Sequence, residues 1–304
     1  EGFGIEITPA TLLTHFANSK NATAIRLAAL ETLLKNKEDG LRPLLDKTLK
    51  DRDREIRAKS FEALATLDPV TAVTQAKTIF ATGQIFDKQR AFAALENLPN
   101  AAGLILTTLK DLENQAPAIH LDILDAAAQR SEPEIKKALV AYEAKLDSSN
   151  PFAAYAVTAD GGDINQGRSV FYNHGAAQCT RCHKGQKGRK GGVAGPNLQN
   201  VGSLHNRAYL VDSIVNPGAH IAPGYGTVSL TLNNNDIVAG TLTKENAEQV
   251  TLKDLANGES KTYPRSEIKE ISQAMSTMPP MIGILKKSEI RDLVAYLASL
   301  KAPK

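Results

Sequence analysis

The chain has 304 residues, 42% of them apolar and 23% charged, with a formal net charge of +3. That length allows two domains or three, and the composition is that of an ordinary globular chain. So small a positive balance does not imply nucleic acid, and no apolar run reaches the roughly 18 residues of a membrane span. No basic segment followed by an apolar core opens the sequence, so a removed leader, or a piece cut from a longer precursor, is expected. The charge is divided unevenly. Residues 151–304 carry 17 Lys and Arg against 12 Asp and Glu, and residues 1–150 carry 19 against 21.

Residues 1–146 read as helix throughout, with apolar residues at helical spacing. "ALETL" at 29–33 returns as "ALATL" at 63–67 and "ALENL" at 94–98, offsets of 34 and 31, and "ILDAAAQ" at 123–129 continues the rhythm. Each of the three has a basic residue upstream (Arg26, Arg57, Arg90) and a second apolar helix downstream, such as "GLRPLLDKTLK" or "AAGLILTTLK". Two helices in about 30–35 residues predict an α-solenoid, with an irregular helical bundle as the alternative. The pattern resembles HEAT repeats. His15 and His120 stand alone on helices, and a structural role is expected for each.

Residues 147–162, rich in Ser, Asn, Pro and Gly, read as a linker. Asp163 can cap the next helix, with Gln166 completing a capping box, and that helix carries Gly167, Val170 and Phe171 on one face. It runs toward "CTRCH", which holds both cysteines of the chain, Cys179 and Cys182, followed directly by His183. A structural zinc site needs four ligands, and neither a second Cys pair nor a spaced His pair is present. A thioredoxin-like pair needs a strand before it, and a disulfide across two residues stabilises little. The remaining reading is one covalently attached c-type haem. Cys179 and Cys182 form thioethers to it, and His183 is held beneath the iron as an axial ligand.

The neighbouring residues suit that chemistry. An axial histidine needs a partner for its other ring nitrogen, and in "GGVAGPNL" the carbonyl of Pro196 is the candidate. "KKSEIRDLVAYLASL", 286–300, predicts an amphipathic helix with Ser288 as N-cap and Ile290, Leu293, Val294 and Leu297 on one face. Gly167 and Phe171 are placed to cross it at Tyr296. The only three methionines, Met275, Met278 and Met281, fall together in "SQAMSTMPPMIGIL". Residues 226–271 alternate apolar and polar side chains: Val228, Leu230, Leu232; Ile237, Val238, Leu242; Val250, Leu252. With turns at "NNND", "KENA" and "ANGES", they predict four to five antiparallel strands in a meander or small barrel.

A helix with Gly and an aromatic, then CTRCH, GPNL, a Met-Pro loop and a terminal "LVAYL" helix, together resemble a class I cytochrome c. The resemblance implies crossing first and last helices and a methionine as sixth iron ligand. Met278, directly before Pro279, matches that position; Met281 and Met275 are its alternatives, and His174, His205 and His220 could replace it. The β segment and "NPGAHIAPGY" narrow the resemblance, over 163–300, to the haem-binding domain of the Planctomycetes and Verrucomicrobia type. That domain often follows helical repeats and a sugar-dehydrogenase-like β-propeller, and no propeller sequence is present here.

The expected architecture is mainly α: a HEAT-like solenoid over 1–146, then a monohaem cytochrome c domain over 163–304 with a β insertion at 226–271. The expected function is electron transport by a periplasmic or otherwise exported carrier with His183/Met278 ligation. It has no catalytic residues of its own, and the repeats serve as docking scaffold. Lys184, Lys187, Arg189 and Lys190 in "KGQKGRK" can steer an acidic redox partner, such as a dehydrogenase. Two other functions stay open: an electron-accepting subunit or fragment of a larger sugar dehydrogenase, and a gas-binding or peroxidatic haem with an open sixth site.

Overall fold

The computed structural model describes residues 8–254 and 256–302. The fold is mainly α with one small antiparallel sheet, and it divides into two compact units, Glu1–Leu146 and Asp147–Lys304. Among the described residues, no helix is long and apolar enough to cross a membrane.

The first unit is built from α1 (Pro9–Ala17), α2 (Thr23–Lys35), α3 (Leu41–Thr48), α4 (Arg54–Leu67), α5 (Pro69–Thr82), α6 (Ile85–Leu95), α7 (Ala102–Lys110), α8 (His120–Ala128) and α9 (Pro133–Glu143). Proline at the first turn of α1, α5 and α9 and Asp side chains capping α4 and α5 start these helices where backbone N–H groups lack partners. Helices α2, α4, α6 and α8 pack one on the next, and α3, α5 and α7 pack against them.

The interior follows a constant interval of 31 residues. Buried Leu30, Phe61, Phe92 and Ile123 form one column; Leu33, Leu64, Leu95 and Ala126 form another. This corrects the offset of 34 between the first two sequence matches. "ALETL" is one helical turn out of register with the other two copies, because a three-residue slip along a helix returns to nearly the same face and leaves the text similar.

Polar ties run from one helix pair to the next. Arg26, 2% exposed, donates from Nε to the Phe16 carbonyl and from both terminal nitrogens to Asp51 at 2.6 and 3.1 Å. Arg57 reaches Asp87 at 3.1 Å, and the Gln89 amide reaches the Ala118 carbonyl at 2.9 Å. Arg90 departs from the other two arginines of its sequence group. Its guanidinium lies 5.2 Å from the centroid of the Phe86 ring, which Arg54 also covers. His15 and His120 are held by local hydrogen bonds, to Asn21 and to the Gln115 carbonyl.

In the second unit, residues 147–162 are not a free linker. A 3-10 helix, Ala153–Ala159, packs on α12 (Arg207–Val215) and α13 (Lys287–Ser299), with Thr158 fully buried and Phe152 and Tyr155 against the core. The polar composition that suggests a linker is confined to its ends, and in the middle Phe152, Tyr155 and Ala159 pack on the core.

Helix α10 (Ile164–Asn173) crosses α13. A Cβ on Gly167 would lie 1.8 Å from the Asp292 carbonyl oxygen, so only glycine permits this approach, and Phe171 meets Tyr296 at 5.6 Å between ring centroids. Asp163 caps α10, but its own N–H donates to Asp292 rather than to Gln166. Helix α13 begins one residue before Ser288. Its N-cap is Lys286, whose N–H donates to Glu289. The short α11 (Val201–Leu204) also packs on α13.

The sheet has six strands among the described residues: β1 (Gly226–Leu232), β2 (Ile237–Glu245), β3 (Gln249–Lys253), β4 (Ser260–Pro264), β5 (Ile268–Ile271) and β6 (Met275–Ser276). Its order is β4-β3-β2-β1-β5, all pairs antiparallel, with β6 also on β1. Strands β1 to β4 form the expected meander; no hydrogen-bonded closure into a barrel is present among the described residues. Val228, Leu230, Val250, Leu252 and Tyr263 make a core of their own. Ile237, placed inward by the sequence pattern, is 71% exposed, at the hairpin end of β2 where the opposite face is uncovered.

Candidate functional site

A single tight turn brings the three motif side chains together. Gln178 takes the left-handed conformation, φ 45°, and reverses the chain after α10. A 3-10 turn, Cys179–Arg181, follows, and the Cys179 carbonyl accepts from the N–H groups of both Cys182 and His183. The segment 191–198 folds back over this turn. Gly192 donates to the Thr180 carbonyl at 2.9 Å, Gly195 to that of Cys182 at 2.9 Å, and Leu198 to that of Lys184 at 2.8 Å.

This return fixes the imidazole. His183 Nδ1 lies 2.8 Å from the Pro196 carbonyl oxygen. A carbonyl only accepts, so Nδ1 carries the hydrogen and Nε2 keeps its lone pair. Burial lowers the pKa of His183, partly offset by the Pro196 bond, so the ring is neutral at pH 7. Gly195 makes the placement possible, because a Cβ there would stand 2.5 Å from His183 Cε1.

The turn lines a cavity of about 330 Å³. Cys179, Cys182, His183, Pro196 and Met278 all border it, with Phe171, Leu198, Val201, Leu210, Ile214, Leu293 and Leu297 supplying much of an apolar wall. Its volume falls in the range of about 300–1,000 Å³ typical of small-molecule and cofactor sites, and apolar walls with a few convergent polar groups are their usual lining. Both cysteines are free thiols. Burial pushes Cys179 up to about 11, so it is a protonated thiol at neutral pH, unlike the thiolates of disulfide-exchange pairs. Among the described residues, no group of three or more His, Cys, Asp or Glu side chains is arranged to hold a metal ion by itself.

The methionines separate. Met278 and Met281 border the cavity, and Met281 is buried. Met275 lies on β6, 65% exposed and away from it. Of the histidines, His205 and His220 border the cavity and His174 does not; the Nδ1 of His174 accepts the Ala177 N–H. Lys184, Lys187, Arg189 and Lys190 are likewise off the cavity wall, and Arg189 stacks 4.9 Å from the Tyr172 ring centroid.

Three features go beyond the sequence reading. Tyr209 is stacked between His205 and His220, with centroids 3.7 and 4.4 Å away, and His220 also faces Asp212 at 3.4 Å. Such a stack assembles from α11, α12 and a loop, and no local pattern announces it. Tyr225, just before β1, and Ser276, in β6, border the cavity as well. The proximity of Ser276 to the Met-Pro pair was the available signal. Third, Gly195 acts on the His183 ring itself, a role that the Gly-Pro text hides behind its more obvious use as a turn.

No family model matches the chain, and no curated protein matches it.

Proposed function

We propose that the second unit is a class I-like cytochrome c domain with one covalent haem, and that the chain is an electron carrier. The observation that supports this is the lining of one apolar cavity by both thiols, by a neutral His183 whose Nδ1 is occupied, and by Met278. That donor set fits a c-type haem. Cys179 and Cys182 would hold it as thioethers, each by addition of its S–H across a vinyl group with nothing leaving. His183 Nε2 and the Met278 sulfur would be the side-chain atoms that hold its iron. Haem, when bound, supplies a one-electron iron couple; the chain supplies orientation, ligand identity and exclusion of water.

The first unit, with its 31-residue interval and stacked helix pairs, acts as a HEAT-like docking scaffold in this reading. The chain works in the periplasm or outside the cell, where c-type haem is attached. Its partner is a redox protein, with a dehydrogenase as the natural electron source. The exposed basic loop at 184–190 favours an acidic docking face on that partner.

The test is to produce the full chain together with haem-attachment machinery. Haem is expected to survive acid-acetone extraction and denaturing electrophoresis, and the oxidised protein to show the weak Met–iron band in the red. Met278→Ala abolishes that band and lowers the potential, and Met275→Ala leaves both unchanged. Haem that extracts freely overturns the proposal.

A further inference from the structure

We infer that the β insertion is the clamp that holds Met278 in the cavity wall, with Ser276 as its positioning residue; this rests on the haem reading above. The chain leaves the cavity wall at Tyr225 and returns to it at Ser276. Those ends are joined by a ladder, Gly226 opposite Ser276 and Thr227 opposite Met275. Ser276 Oγ then accepts the N–H of Met278 at 3.2 Å.

On its other side the loop is fixed to α12, where the Met281 N–H donates to the Ile214 carbonyl at 3.0 Å. Pro279 and Pro280 between them have fixed φ and no N–H to redirect. Met278 therefore sits on a short, stiff span pinned at both ends, and one pin belongs to the sheet. The sheet has its own apolar core, so it is rigid without help from the cavity. Among the described residues, none from 227 to 275 borders the cavity, so the insertion is not a lid. Its link to the site is the neck formed by β1 and β6.

A clamp of this kind sets how often the sixth position is open. Imidazole competes with Met278 for that position, so its apparent affinity reads the open fraction directly. Three variants of the full, haem-loaded chain test the inference: Ser276→Ala, Ser276→Thr, and replacement of 227–275 by a Gly/Ser linker. Losing the Ser276 acceptor should raise imidazole affinity about fivefold, the effect of one net hydrogen bond. Ser276→Thr, which keeps the oxygen, should restore the parent value. The linker variant should raise affinity about tenfold or more and weaken the Met–iron band. In a Met278→Ala background, Ser276→Ala should change nothing.

Covalent haem with parent imidazole affinity in either Ser276→Ala or the linker variant overturns the clamp and leaves the cytochrome reading standing. So does a further change caused by Ser276→Ala when Met278 is already absent, since the serine would then be shaping the site itself. Haem that is not covalent overturns both.

Discussion

The two units differ in what their interiors tolerate. In the first, one position is filled by equivalent residues every 31: Leu30, Phe61, Phe92 and Ile123 do the same job. Its glycines make fewer demands. A Cβ on Gly103 meets nothing within 4 Å, one on Gly40 meets only the end of the Leu13 side chain, and the one close backbone approach, 2.5 Å from Gly83 to the Ile79 oxygen, is local to the end of α5. In the second unit each close contact is unique. Gly167 lies against the Asp292 backbone where α10 meets α13, and Gly195 lies against the His183 ring in the cavity wall. A repeat distributes its stability over many similar terms; a site concentrates it in a few positions with no substitute.

The largest expected effect strikes at that concentration. Gly167→Ala puts a carbon 1.8 Å from the Asp292 oxygen, and backbone cannot rotate away as a side chain can. Helices α10 and α13 must separate. A loss of about 3 kcal/mol or more is expected in the denaturation of the second unit, at the upper end of overpacking costs. A loss below about 1 kcal/mol would show that this crossing yields readily and that the contrast between the units is overstated.

Next is the tie between helix pairs in the first unit. Asp51→Asn leaves the Arg26 guanidinium buried without its counter-charge; the two side chains are 2% and 9% exposed. Breaking a buried pair from one side costs about 3–5 kcal/mol, and Asn keeps one acceptor oxygen for Arg26, so a loss of about 2–3 kcal/mol is expected. The same pair gives this unit an acid limit. The Arg26 hydrogen bonds hold Asp51 below the usual carboxylate range. Its contribution is therefore complete above the unfolded value, about 3.9, and is lost as pH falls through the lower folded value. Acid titration of the parent should show a larger loss of stability below about pH 4 than Asp51→Asn does, the remainder coming from Asp53 and Asp68, which are also held low. The outer pair Lys145–Glu113 is 69% and 83% exposed, and its removal should change little.

How much of this could be read from the sequence follows the same division. The helix crossing, the Pro196 carbonyl and the cavity-lining cysteines, His183 and Met278 were legible because each is carried by one or two residues of distinctive chemistry. The 31-residue interval was legible as rhythm but not as register, since a slip of one turn preserves the text. The packed segment 147–162 was missed because Phe152 and Tyr155 act through partners about 50 or more residues away. The β1–β6 neck was missed for a related reason. Two residues carry no strand signal, and Gly226 finds Ser276 only because the whole meander returns the chain there. The Tyr209 stack is likewise a product of tertiary placement.

The smallest prediction sharpens the comparison from the tolerant side. Gly103 lies in the first turn of α7, where the backbone is helical and open space surrounds the missing Cβ. Alanine there removes conformational freedom from the unfolded chain without meeting an obstacle in the folded one. A gain of about 0.5–1 kcal/mol is expected in the denaturation of the first unit. The substitution is the one that breaks the second unit at Gly167, so the pair isolates surroundings from residue type. Should Gly103→Ala destabilise by 1 kcal/mol or more, even an open helical position of the repeat unit would reject a side chain, and the proposed difference between a distributed and a concentrated interior would fail.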